Sequence, residues 1–141
     1  MNILVTGGAG YIGSITVKRL LEKGHNVTVV DNLEYGHKES VSCELIVGDL
    51  TDKTFLSSKL SNKSFDAVIH FAANALAGES MKDPYKYFHN NIVGGLNLLE
   101  FMHVQNIDKI VFSSTCAIFG TPDIIPVSED LVKRPESVYG E

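Results

Sequence analysis

Thr6-Gly7-Gly8-Ala9-Gly10-Tyr11-Ile12-Gly13 follows the apolar run Ile3-Leu4-Val5 and precedes a helical pattern that Gly24 stops. A strand that enters a tight glycine turn and then a helix brings backbone N–H groups, unhindered by Cβ atoms, to a helix N-terminus, where they suit a pyrophosphate. Two glycine registers coexist here: Gly8, Gly10 and Gly13 fit G-x-G-x-x-G, while Gly7, Gly10 and Gly13 fit the wider G-x-x-G-x-x-G. A purely structural turn would explain the glycines alone, so the next acidic residue decides. Dinucleotide-binding units place an Asp or Glu about 20 residues on, at the end of the second strand, as acceptor for the adenosine ribose. Asp31 stands there, closing the run Val27-Thr28-Val29-Val30. A free 2′-hydroxyl donates to that carboxylate and a 2′-phosphate is repelled by it. No arginine neighbours Asp31, so the pattern favours NAD over NADP.

Outward from this unit, strands and helices alternate. The helix over residues 11–23 carries Ile12, Ile15, Leu20 and Leu21 on its apolar stripe. Glu44-Leu45-Ile46-Val47 reads as a third strand ending at Gly48-Asp49-Leu50, and Ala67-Val68-Ile69 as a fourth running into His70-Phe71-Ala72-Ala73. A long helical pattern occupies roughly Pro84 to Val104, with Asp83 as its cap and Pro84 in its first turn. Leu96, Leu98, Leu99 and Met102 read as core rather than interface. Ile110-Val111-Phe112 is a fifth strand. Strands this rich in β-branched residues predict a doubly wound α/β fold, a Rossmann-like parallel sheet covered on both faces. Right-handed crossovers give it the strand order 3-2-1-4-5.

Bulk properties narrow the function classes. At 141 residues with 44% hydrophobic side chains, residues 1–141 form one domain with a real core. Twelve basic against seventeen acidic groups give a formal charge of −5 with no Lys/Arg stripe, which argues against nucleic acid. No leader pattern and no apolar run of membrane-spanning length is present, so no membrane partner is expected and the cytoplasm is the expected compartment. Cys43 and Cys116 read as reduced thiols, and the five histidines lack ligand spacing, so no metal is expected.

The Thr6–Gly13 loop, Asp31-Asn32-Leu33, Gly48-Asp49-Leu50, Phe71-Ala72-Ala73, Gly78-Glu79-Ser80, Asn90-Asn91, Ser113-Ser114-Thr115 and Tyr139-Gly140 together resemble the extended short-chain dehydrogenase/reductase family, and within it the nucleotide-sugar epimerases. The likeness runs through essentially the whole chain. It implies NAD as cofactor and a nucleotide-sugar substrate, UDP-glucose or UDP-galactose, interconverted at C4. It also implies a homodimer seamed by the long helix.

Residue by residue, the resemblance assigns Gly7, Gly10, Tyr11, Ile12 and Gly13 to the pyrophosphate loop, and Asp31 with Asn32 to the ribose. Asp49 is implied as the adenine-amino acceptor with Leu50 flanking the ring; a helix N-cap is the other reading of Asp49. Phe71, Ala72 and Ala73 let backbone approach the cofactor, and Ser113 and Asn90 lie near it. A mid-helix asparagine is a poor helix former, so Asn90 is either engaged in a buried hydrogen bond or solvated. Thr115 matches the hydroxyl that bonds the sugar's reacting oxygen, against the plainer reading of a hydroxyl-rich turn. Tyr139 matches the base of the family's Tyr-x-x-x-Lys pair.

Departures qualify the likeness. The lysine position lies two residues beyond Glu141, and nothing corresponds to the family's carboxyl-terminal substrate region. The sequence is therefore expected to be the amino-terminal part of such an enzyme, holding NAD without turnover by itself. The fifth strand would then be an exposed edge, which favours association. Ile15 stands where a histidine is usual, and Phe119 where a tyrosine is. A related sugar-nucleotide dehydratase or decarboxylase would share all these residues.

Overall fold

A computed structural model covering residues 1–141 places β1 (Asn2–Thr6), β2 (Asn26–Asp31), β3 (Glu44–Val47), β4 (Ala67–His70) and β5 (Ile110–Phe112) in one parallel sheet. The order is β3-β2-β1-β4-β5, that of a doubly wound dinucleotide-binding sheet. Leu4 sits opposite Thr28 on one side and Val68 on the other, and Val5 opposite Val29 and Ile69. Side chains alternate across a strand, so this register splits the core in two. Leu4, Val30 and Val68 face one side with Phe55, Leu56 and Leu60 of α2 (Phe55–Leu60) and Leu98, Phe101 and Met102 of α5 (Gly94–Val104). Ile3, Val5, Val27 and Val29 face the other side with Val17 of α1 (Tyr11–Glu22). Each such side chain contributes about 1.5–3 kcal/mol when fully buried.

Three expectations need correction. The inward line of α1 is Gly13 and Val17, with Leu20 and Leu21 packed beside them, whereas Ile12 and Ile15 are 60% and 50% exposed. The first turn of the helix must lie against the glycine turn, so glycine takes the inner position and the isoleucines fall outside. Likewise Leu98 and Met102 are buried, but Leu96 and Leu99 are 59% and 50% exposed. The sheet is covered on both faces only at its centre, because every residue of β5 is exposed.

Two further features were not expected. The short helix α2 escaped the periodicity reading because six residues, three of them Ser or Lys, carry little pattern. The long helical segment consists of α4 (Pro84–Tyr87), a π-helical turn (Phe88–Val93) and α5, preceded by the single turn α3 (Ala77–Ser80). Asp83 caps α4 by accepting the Lys86 N–H at 3.1 Å, with Pro84 in the first turn. No helix is long and apolar enough to cross a membrane.

Candidate functional site

The carboxyl ends of the strands open into two clefts that share the wall Phe71-Ala72-Ala73. Strand order reverses between β1 and β4 at this place, where open α/β sheets bind ligands. Counting the solvent-open space at their mouths, the clefts span about 630 Å³ and about 860 Å³.

The glycine turn forms one side of the first cleft. Gly7 has φ +72°, and a Cβ there would lie 2.5 Å from the Ala72 amide nitrogen and 2.7 Å from the Phe71 carbonyl carbon. A Cβ on Gly13 would run into the Gly7 carbonyl oxygen. Gly10 caps α1 without offering a side-chain acceptor, and the first turn has no acidic residue. Its N–H groups, which have no intrahelical acceptor, are thus left for an anionic group. This cradle fits a dinucleotide pyrophosphate.

Asp31 lies on the opposite side of the turn, buried to 7% exposure. Its Oδ2 accepts the Ala9 N–H at 2.9 Å and its Oδ1 accepts the Leu33 N–H at 2.9 Å. Each carboxylate oxygen retains a lone pair for a ligand hydroxyl. Asn32, Tyr35 and Gly36 continue this rim, and Gly48, Asp49 and Leu50 close the end of the cleft. Asp49 is not a helix N-cap, because α2 begins only at Phe55. Instead it accepts both the N–H and the hydroxyl of Thr51 at 2.8 Å. Partial burial works to raise its carboxyl pKa, but the two Thr51 bonds, with the Asn32 amide and the His89 charge, together hold the group below the ordinary carboxylate range.

The second cleft gathers Ser113, Ser114 and Thr115 after β5 with Tyr139 from the end of the sequence. A close backbone approach brings them together: a Cβ on Gly140 would meet the Ala117 carbonyl oxygen at 2.7 Å. The Tyr139 N–H donates to the hydroxyl of buried Ser80 at 3.1 Å, and its ring meets Tyr87 edge-on with centroids 6.5 Å apart. Thr115 Oγ1 accepts the Ala117 N–H at 3.1 Å, which caps the 3₁₀ turn Cys116–Phe119 and leaves the hydroxyl proton free to donate to a ligand. The geometry can hold a hydroxylated ligand between a phenol and a hydroxyl donor. His70 also lines this cleft; its Nδ1 is 2.6 Å from Thr6 Oγ1, and burial pushes its pKa down to about 4.

Most of the residues read from the sequence lie where the two clefts are built. Gly7, Gly10, Asp31, Asn32, Asp49, Leu50, Phe71, Ala72, Ala73 and Asn90 line the first cleft, and Thr115 and Tyr139 the second. Ser113, expected near the cofactor, lies in the second. Tyr11 and Ile12 are exposed, and Gly13 lies buried beneath the turn.

The asparagine pair holds a residue that the sequence reading passed over. Asn91 Oδ1 accepts the Asn74 N–H at 2.8 Å, and Asn91 Nδ2 donates to the Asn74 carbonyl at 3.0 Å. Asn90 donates to the same Oδ1 at 2.8 Å. The π turn thus sets Asn90 on the first cleft and Asn91 on the second while pinning the loop between them. Two mid-helix asparagines in a row were the available signal. Tyr35 of the first cleft and His70 of the second gave none as ligand-facing groups.

The comparisons with known proteins agree with this geometry. The chain is 52% identical over 145 residues to the UDP-glucose 4-epimerase of Streptococcus mutans, covering 100% of this chain and 44% of that protein. It is 45% identical over 142 residues to the UDP-glucose 4-epimerase of Corynebacterium glutamicum, covering 99% and 43%. The crystal structure of UDP-glucose 4-epimerase from Brucella ovis in complex with NAD superposes with a TM-score of 0.94 at 41% identity, covering 99% of this chain and 43% of that one. The chain therefore spans less than half the length of these relatives. The sequence model of the NAD dependent epimerase/dehydratase family matches residues 3–141, nearly every residue from β1 to Tyr139 and beyond, and the chain belongs to that family.

Proposed function

We propose that this chain supplies the NAD-binding part, and two of the reacting side chains, of an enzyme that interconverts UDP-glucose and UDP-galactose at C4. The observation that carries the reading is the wall Phe71-Ala72-Ala73 common to both clefts, which sets the Asp31 cleft beside the one holding Thr115 and Tyr139. Relatives at 45% and 52% identity that are UDP-glucose 4-epimerases, and one solved with NAD, support the substrate and the cofactor. When bound, NAD supplies reversible hydride acceptance, so that a C4 epimerisation needs no second redox substrate.

The chain's own residues have the following roles. The first-turn N–H groups of α1 hold the diphosphate, with Gly7, Gly10 and Gly13 allowing close approach. Asp31, with Asn32, accepts from the adenosine ribose; Asp49 accepts from the adenine amino group, which Leu50 flanks. Phe71 to Ala73 and Asn90 line the path to the second cleft, and Ser113 lines that cleft. There Thr115 donates to the sugar's 4-oxygen and Tyr139 takes the 4-hydroxyl proton. Taken alone, the chain binds NAD without turnover, because no lysine or arginine contacts the Tyr139 phenol to stabilise a phenolate.

We also place a homodimer seam on the outer stripe of α4, the π turn and α5. Tyr85, Phe88, Ile92, Leu96 and Leu99 recur every three or four residues there, each at least 43% exposed, with Phe88 and Ile92 also bordering the second cleft. Exposed apolar stripes of this kind mark association surfaces. The two unpaired thiols, Cys43 and Cys116, support a reducing compartment, the cytoplasm.

Calorimetric titration of the chain with NAD and NADP tests the first half, and only NAD should bind. For the second half, UDP-galactose conversion is assayed with the chain alone and with the chain joined to the remaining part of an epimerase relative. The joined protein should turn over, with Tyr139→Phe lowering its rate by about 10²–10⁴-fold. Rapid conversion by the chain alone defeats the reading that it binds without turnover, and an unaffected Tyr139→Phe defeats the assignment of Tyr139 as the base.

A further inference from the structure

Lys86 joins three segments at the rim of the first cleft. Its Nζ lies 3.1 Å from Glu34 Oε1, 3.1 Å from Glu79 Oε1 and 3.2 Å from the Tyr35 hydroxyl. Glu34 and Tyr35 follow β2, Glu79 belongs to α3 and Lys86 to α4. An ammonium has three N–H donors, and here each has an acceptor. The far end of the bridge is firm: Tyr87, 1% exposed, donates its hydroxyl to Glu79 Oε2 at 2.7 Å and accepts the Leu76 N–H at 3.1 Å.

The near end depends on Lys86. Tyr35 lines the first cleft beside Asp31, Gly36 and Asp49, yet its side chain is largely in solvent, at 56% exposure. The one polar contact of its hydroxyl is with Lys86, whose ammonium also sits 5.6 Å from the ring centroid. Bonds to Tyr35, Glu34 and Glu79 hold the lysine above its usual pKa range, so it stays charged across the working pH range.

We propose that Lys86 is a positioning residue for the adenosine half of the dinucleotide: tethered through Glu79 to buried Tyr87, it holds the Tyr35 ring as the outer wall of the first cleft. The proposal rests on the reading of that cleft as an NAD site. It differs from a role in the second cleft, which Lys86 also reaches indirectly because Tyr87 lines it. Two ligands separate these roles. ADP-ribose carries the adenosine half and the diphosphate but no nicotinamide, so a wall beside Asp31 and Asp49 acts on it as on NAD.

The test is calorimetric titration of the intact chain with NAD and with ADP-ribose. Lys86→Met should weaken both ligands by the same factor, about two- to fivefold for a partly exposed ionic bridge. Lys86→Arg should recover affinity to within about twofold, since it restores the charge and the donors. Tyr35→Ala should weaken both ligands at least as much, and adding Lys86→Met to Tyr35→Ala should change nothing further, because the lysine acts through the ring. Losses that multiply in the double variant, or a loss for NAD with none for ADP-ribose, overturn the proposal. Wild-type binding matched by an unaltered Lys86→Met overturns it alone, whereas absence of wild-type binding to either ligand overturns the NAD reading and this proposal with it.

Discussion

The Asp31 carboxylate accepts the Ala9 N–H at 2.9 Å, tying the end of β2 to the middle of the glycine turn. Its second oxygen accepts the Leu33 N–H at 2.9 Å, which supports Leu33 at φ 61°. Asp31 therefore builds the turn as well as facing the cleft. Asp31→Ala should lower stability by about 2–3 kcal/mol with no ligand present, since two backbone donors lose a charged acceptor. Asp31→Asn, which keeps one acceptor oxygen, should lose roughly half of that. Denaturant unfolding without ligand, followed by NAD titration of the folded variants, separates the structural loss from the ligand contact. An Asp31→Ala variant as stable as wild type would show that the Ala9 and Leu33 bonds contribute nothing.

Three glycines make a graded series. A Cβ on Gly7 or Gly13 meets backbone that cannot move aside, whereas Gly24, at φ +78°, has nothing within 4 Å of that position. Gly24→Ala should cost only the left-handed backbone penalty, about 1–2 kcal/mol, and leave NAD affinity unchanged. Gly13→Ala should add overlap worth about 1–3 kcal/mol and weaken NAD by more than tenfold through the displaced turn. Thermal unfolding and calorimetry on the same samples check both.

The pH dependence of stability should carry a His70 component. Burial pushes its pKa from 6.5 down to about 4, so between those values the unfolded chain takes up a proton that the folded chain refuses. Stability from this group is complete above pH 6.5 and falls as pH drops toward 4, by about 1.4 kcal/mol per pH unit and about 3 kcal/mol in all. Asparagine in its place keeps a partner for Thr6 and does not titrate. The difference in unfolding free energy between wild type and His70→Asn, measured at pH 7, 6 and 5, should therefore shift steadily against wild type. A constant difference excludes a buried neutral imidazole.

The two leucine sets of α5 should behave oppositely. Leu96 is 59% exposed and Leu98 fully buried. Leu96→Glu should convert a dimer into a monomer in sedimentation velocity with little change in protomer stability. Leu98→Ala should cost about 2–5 kcal/mol without altering the sedimenting mass of the folded fraction. Monomeric wild-type protein at micromolar concentration removes the dimer seam.

Much of the architecture was legible from local pattern. The five strands, the glycine turn, Asp31 at the end of β2 and the Asp83-Pro84 helix start are each written within a few consecutive residues. Their order in the sheet follows from the dinucleotide-binding pattern together with right-handed crossovers. The orientation of the helices was not legible in the same way: Ile12 and Leu98 are equally apolar, yet the first is 60% exposed and the second buried.

What the sequence by itself determined was the sheet, the pyrophosphate turn and the identity of the residues at the strand ends, because backbone sterics and side-chain periodicity act between near neighbours. Only the tertiary structure decided which of those residues share a cleft. Tyr35 meets Lys86 across 51 residues, Thr6 meets His70 across 64 and Asn74 meets Asn91 across 17. Such partners are chosen by the sheet register and by the π turn that carries Asn90 and Asn91, and neither is encoded in any short stretch of chain.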